Sequence, residues 1–203
     1  MKPFAALALL EFADIPLGYV ATDVALKASP VAYVKSGTIG AGRFLTLLGG
    51  TPAAVDEAFG AGTGAGAAAL LDSLFLADAD ERLVAVVLGA RCSRIPGSLA
   101  IIETRTATAA VRAAEFTLKG ARVALAELRL ADSGLAGKGL AVLRGELHDL
   151  EAALDIAVAN AADGSAGLVS RIIAAPHEGL AELIGADTRF FASAGLHLDG
   201  EQG

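Results

Sequence analysis

Tryptophan is absent, cysteine occurs once, and aromatic residues make up only 5% of the 203-residue chain. So few large rings leave little with which to anchor a deep ligand pocket. The lone thiol, Cys92, has no partner for an internal disulfide and fits a reducing compartment. Histidine is scarce too: His148, His177 and His197 form no His-x-x-x-His or Cys/His spacing suited to a metal ion. Basic residues number 16 against 23 acidic ones, a formal net charge of −7, and they are scattered. The basic stripe that carries phosphate contacts is missing, which excludes a nucleic-acid partner. No apolar run approaches the roughly 20 residues of a membrane-spanning helix. The stretch 58–71 is short and interrupted by Gly60, Gly62, Gly64 and Gly66. The opening Met1-Lys2-Pro3-Phe4 runs into Glu11 and Asp14 and does not read as a secretory leader. A soluble, cytosolic chain with no cofactor and no membrane partner is the expectation.

Small apolar residues are what the chain has in abundance. Apolar residues reach 54%, much of it alanine, and mean hydropathy is +0.57. In a chain without a membrane span, that excess is expected to be covered between subunits.

The second half repeats the first. Leu7-Ala8-Leu9-Leu10-Glu11 matches Leu99-Ala100-Ile101-Ile102-Glu103, Ala25-Leu26-Lys27 matches Thr117-Leu118-Lys119, and Val31-Ala32 matches Val123-Ala124, all at one offset. Leu48-Gly49-Gly50 then matches Leu143-Arg144-Gly145 after a three-residue shift, which places an insertion between the second and third strands of copy two. Residues 70–76 pair with 168–174. Each copy reads as β-α-β-β-α-β plus a short final helix, an α/β (α+β) plan of ferredoxin-like order. The copies span 1–92 and 97–187, a tail spans 188–203, and Pro96-Gly97 marks the linker.

Local signals place the elements. Strand one spans about 5–12, and Pro16 suits the first turn of the following helix. Leu17, Val20, Ala21, Val24 and Ala28 share one helical face, expected to be the packed one. Its counterpart carries Ala109, Ala113 and Phe116. Strands two and three begin near Val31 and Phe44. Thr51-Pro52 opens the second helix, whose end the glycines 60–66 are expected to weaken.

No catalytic set emerges. Glu11 and Glu103 repeat one scaffold position and do not form an acid/base pair. Gly62-Thr63-Gly64-Ala65-Gly66 lacks the Gly-Lys-Ser/Thr of a phosphate loop. Cys92 has no neighbouring base, and His148 opens an exposed helix.

Copy two, with Leu99-Ala100-Ile101-Ile102-Glu103-Thr104-Arg105, an Ala-rich helix ending at Lys119, and the tail Pro176-His177-Glu178, resembles a bacterial microcompartment shell domain. The resemblance covers both copies without circular permutation. It implies a non-enzymatic tandem-domain subunit that forms a homotrimer, a pseudohexameric tile among hexameric and pentameric tiles in a cytoplasmic compartment shell. It further implies a central pore for small metabolites, lined by Thr38, Ile39, Gly40, Ala41 and Gly42 of copy one and Ser133, Gly134, Leu135, Ala136 and Gly137 of copy two. Spacing alone favours a plain hairpin turn; the repeat and the resemblance turn the reading toward a pore. Bulky residues at Gly40 or Gly137 are expected to alter the opening and not the assembly. Neither segment holds a cysteine, so the iron–sulfur cluster of some tandem shell proteins is not expected.

The resemblance also implies tile-edge contacts by Lys27, Lys119 and His177. A solvated helix-end lysine is the alternative on sequence alone. Ala175 stands where the family's Arg-Pro-His motif has arginine, and copy one has Ala77-Asp78-Ala79-Asp80 instead of the motif, so the two kinds of edge are expected to pack differently. The competing reading is a regulatory small-molecule-binding module of ferredoxin-like fold.

Overall fold

The computed structural model describes residues 4–90, 97–161, 167–190, Ala192 and Leu196. Cys92, His197, the 91–96 part of the linker and most of the tail lie outside the described residues.

The first copy runs β1 (Ala6–Phe12), α1 (Ile15–Ala28), β2 (Tyr33–Ile39), β3 (Arg43–Gly50), α2 (Pro52–Ala65), β4 (Leu70–Leu76) and α3 (Glu81–Val87). The second runs β5 (Ser98–Thr104), α4 (Ala107–Gly120), β6 (Ala124–Leu130), β7 (Gly139–Gly145), α5 (Leu147–Ala159), β8 (Leu168–Ile173) and α6 (Glu178–Ala186). Each copy forms a four-stranded antiparallel sheet, in the orders β2-β3-β1-β4 and β6-β7-β5-β8. The α+β tandem expected from the repeat is what forms, unpermuted.

Local chemistry starts the helices as expected. Asp14 caps α1 through Leu17 N–H with Pro16 in the first turn, Thr51 caps α2, and Thr106 caps α4. β1 is buried along its whole length because both faces of its sheet are covered. Ala6, Ala8 and Leu48 meet Ala25 of α1 and Val55 and Ala58 of α2 on one face. Leu7, Leu9, Leu45 and Leu47 meet Leu83 and Val84 of α3 on the other, in a cluster that continues into Val111, Ala114 and Leu118 of α4. The two copies therefore share one core.

Three expectations change. α2 does not weaken at its glycines. Gly62 lies where a Cβ would stand 2.7 Å from Leu10 Cδ1, and Gly66 where one would stand 2.2 Å from the Phe12 ring, so these glycines let α2 close onto β1 and α1. Leu71 is skipped between the partners of Glu11 and Phe12, a bulge in β4 that shifts the fourth-strand match by one: Leu76 pairs with Leu7 as Ile173 pairs with Leu99. Finally, the packed face of α1 is Gly18, Ala21, Thr22 and Ala25, while Val20 is exposed. Small residues suffice there because Phe44 fills the space above Gly18. α4 buries nine of its residues against four in α1, since α4 is wedged between its own sheet and the first copy.

Candidate functional site

The β2–β3 and β6–β7 connections lie side by side. The first is a single tight turn, Gly40–Gly42, with Ala41 at φ 62° and Gly42 at φ 68°, a conformation that favours glycine. The second is longer, as the insertion required. Arg129 organises it, donating to both carboxylate oxygens of Asp132 and to the Ser133 carbonyl. The Gly40 N–H donates to the Ala131 carbonyl at 2.7 Å, and Arg43 Nη1 donates to the Gly137 carbonyl at 2.9 Å. Thr38, Ala41, Gly42, Ser133, Gly134 and Ala136 face solvent; Ile39, Gly40 and Leu135 are half-buried, and Gly137 is buried. A Cβ on Gly40 would meet Ala131 O and Gly137 N at 3.0 Å, and one on Gly137 would meet Arg43 Cζ at 2.9 Å. Bulk at either glycine therefore forces the loops apart, which corrects the expectation that it would act on an opening alone. Beside the loops, a groove of about 580 Å³ is lined by residues that include Thr38, Ile39, Leu47, Arg129 and Asp132.

From these loops a polar seam runs outward between the copies. Glu11, fully buried, accepts from Arg43 at 3.0 Å and from the Thr108 N–H at 3.1 Å. Burial pushes its carboxyl above the usual range, against the opposite pull of the Thr108 N–H and the Arg43 guanidinium. Next, Arg112 pairs with Asp72 at 2.9 Å, and Thr106 Oγ1 bonds the same carboxylate. Then Glu115 accepts from the Asp80 N–H. Arg82 holds Asp80 well below the usual carboxylate range while donating to the Leu118 and Val123 carbonyls. Last, Lys119 pairs with Glu115 and donates to the Asp78 carbonyl. Thr108, Arg112, Glu115 and Lys119 form one stripe of α4, so Lys119 lies about 17 Å along the helix from Thr108 at 1.5 Å per residue. The loops mark one end of the seam and Lys119 the other.

Lys27 ends α1 at the equivalent place but, among the described residues, pairs with Asp23 of its own helix, and it is 74% exposed. His177 caps α6, its Nδ1 accepting from the Gly179 N–H. Thus the structure brings the two loop segments together and sets Lys119 at the seam, while Lys27 and His177 remain apart on open surface. Among the described residues no His, Cys, Asp or Glu cluster is arranged for a metal, and no helix is long and apolar enough to cross a membrane.

A family model, the BMC domain, matches this chain twice, over residues 6–79 and 98–176. The bacterial microcompartment shell protein PduT of Citrobacter freundii is 30% identical over 86% of this chain and 95% of its own. The chain belongs to the bacterial microcompartment shell-protein family. A microcompartment protein from Desulfitobacterium hafniense has a crystal structure that superposes with a TM-score of 0.74 at 28% identity, covering 87% of this chain and 98% of that one. A fused permuted hexameric shell protein of the RMM microcompartment shares the fold, with a TM-score of 0.57 at 23% identity over 78% and 82% of the two chains.

Sequence reasoning missed the seam. On local sequence Glu11 and Glu103 read as one repeated scaffold position, yet Glu11 joins the copies while Glu103, among the described residues, pairs with Lys138. The available signal was divergence at matched positions: Thr108 has an N–H to donate, and its counterpart Pro16 has none.

Proposed function

We propose that this chain is a structural, non-catalytic tile of a bacterial microcompartment shell, a homotrimer whose domains (1–92 and 97–187, followed by the tail 188–203) surround a central opening for small metabolites. The observation that carries this reading is the abutting pair of loops at one end of the seam, tied by Gly40 to Ala131 and Arg43 to Gly137. Three such pairs about a cyclic axis close a ring of six loops of two alternating kinds. The exposed Thr38, Ala41, Gly42, Ser133, Gly134 and Ala136 supply its rim, whose small side chains and backbone suit polar or anionic metabolites.

Lys119, at the seam end farthest from the loops, and Lys27 and His177, on open surface, then meet neighbouring hexameric and pentameric tiles at the perimeter, in the cytoplasm. A flexible ammonium reaches carbonyls across such a contact. Mass photometry and electron microscopy of the full chain test the tile: trimers that form flat hexagonal arrays are expected, and a stable monomer refutes it. Thr38→Arg and Ser133→Arg are expected to change metabolite flux through assembled shells while trimers persist. Lys27→Ala with Lys119→Ala is expected to abolish arrays and leave trimers; unchanged arrays refute the edge assignment.

A further inference from the structure

The chain makes one seam within itself and leaves each half of a second seam uncovered. In the finished seam, α4 lies against β4 and the start of α3. The matching halves are α1, in the first copy, and β8 with the start of α6, in the second. Helix caps fix the helix correspondence: Asp14 caps α1 as Thr106 caps α4, so Val20 stands where Arg112 stands. Strand pairing fixes the other: Glu11 faces Asp72 as Glu103 faces Val169.

The central ion pair of the finished seam, Arg112 with Asp72, therefore corresponds to Val20 and Val169. These two valines are 53% and 57% exposed. Around them the same relation recurs. Tyr19 is 58% exposed where Val111 is buried, Leu26 is exposed where Leu118 is buried, and Leu180 is exposed where Leu83 is buried. An ion pair in one seam and two matched, uncovered valines at the same two positions is the pattern of a second interface with a different centre. Among the described residues nothing covers the α1 stripe, and its counterpart on α4 shows what shape of surface covers it.

We infer that a second copy of this chain docks through an apolar seam, with Val20 of α1 seated on Val169 of β8 in the next copy. Asp23 there accepts the N–H of His177, as Glu115 accepts that of Asp80. This inference rests on the homotrimer reading and specifies how each copy meets the next. Its chemistry suits its task. A seam inside one chain forms at high effective concentration and tolerates an ion pair, whereas association between chains must overcome lost translational freedom and gains more from apolar burial. The two seams also cannot exchange partners. Val20 on Asp72 buries an unpaired carboxylate, and Arg112 on Val169 buries an unpaired guanidinium.

The test is the concentration at which full-length chains dissociate, read by mass photometry and analytical ultracentrifugation, with circular dichroism confirming the fold. Val20→Arg and Val169→Asp are each expected to raise that concentration at least about tenfold per seam. The V20R/V169D double variant is expected to restore the trimer by rebuilding the ion pair, and about 1 M salt is expected to weaken that trimer but not the unmodified one. Where a charged variant does not fold, Val20→Ser and Val169→Ser carry the same expectation of roughly tenfold weakening. An unmodified trimer unaffected by the single changes overturns this seam and leaves the homotrimer standing. A double variant no tighter than the singles overturns the pairing of these two residues. An unmodified chain that is monomeric overturns the homotrimer reading itself.

Discussion

Arg43→Met keeps the side-chain stem and deletes the guanidinium that ties the two loops to β1. In the native seam, Nη1 donates to Glu11 Oε1 and the Arg105 carbonyl at 3.0 Å and to the Gly137 carbonyl at 2.9 Å. Without it, the fully buried Glu11 carboxylate keeps, among the described residues, the Thr108 N–H. Removing one partner of a buried ion pair costs about 3–5 kcal/mol. Arg43 is about one-quarter exposed, so water replaces part of what it gave, and the lower end, about 3 kcal/mol, is the expectation.

Protonation relieves that cost. Burial already raises the Glu11 carboxyl above its ordinary 4.5, and losing Arg43 raises it further. A raised value means that the folded state holds the proton more tightly than the unfolded chain. The variant is therefore least impaired below about pH 4.5, and its deficit grows as pH rises through the raised folded value. Urea unfolding of native and variant chains across pH 4–8 measures this. A deficit near 3 kcal/mol at pH 8 that shrinks toward pH 5, and that R43M/E11Q reduces at pH 8, is expected. A deficit under about 1 kcal/mol, or one independent of pH, refutes the account of Glu11.

Gly62→Val is expected to cost about 1–3 kcal/mol by thermal unfolding, because its Cβ meets Leu10 and Ala25, whereas Gly60→Ala, facing open space, should stabilise by about 0.5–1 kcal/mol. Equal effects at the two sites would contradict the close-packing role of Gly62. Gly40→Val should speed hydrogen exchange across residues 131–137 by parting the loops, and unchanged exchange there argues against their contact. Asp80, held low by Arg82, stabilises the fold above its ordinary 3.8 and loses that contribution as pH falls through its lowered value. Asp80→Asn should therefore be less stable at pH 7 and flatter in acid; an unchanged acid limb contradicts the pairing.

The sequence by itself determined the duplication, the order of elements and the two loop segments. Each is encoded locally, by Asp14, Thr51 and Thr106 at helix starts, by Pro16 and Pro52 in first turns, and by apolar strands written twice. Tertiary structure alone decided which faces those elements bury. Periodicity offered Leu17, Val20, Ala21, Val24 and Ala28 as a packed face, but the Phe44 ring above Gly18 draws α1 onto its small residues and leaves Val20 outside. Glycines 60–66 looked like a frayed end because propensity counts backbone entropy and not the ring of Phe12 waiting at Gly66. The bulge at Leu71 moved β4 by one residue, invisible in a run of similar apolar side chains. Most of all, Glu11 and Glu103 share one local context and differ only in what lies across from them. Glu11 meets the Thr108 N–H; Pro16, where Thr108's counterpart stands, has no proton to give.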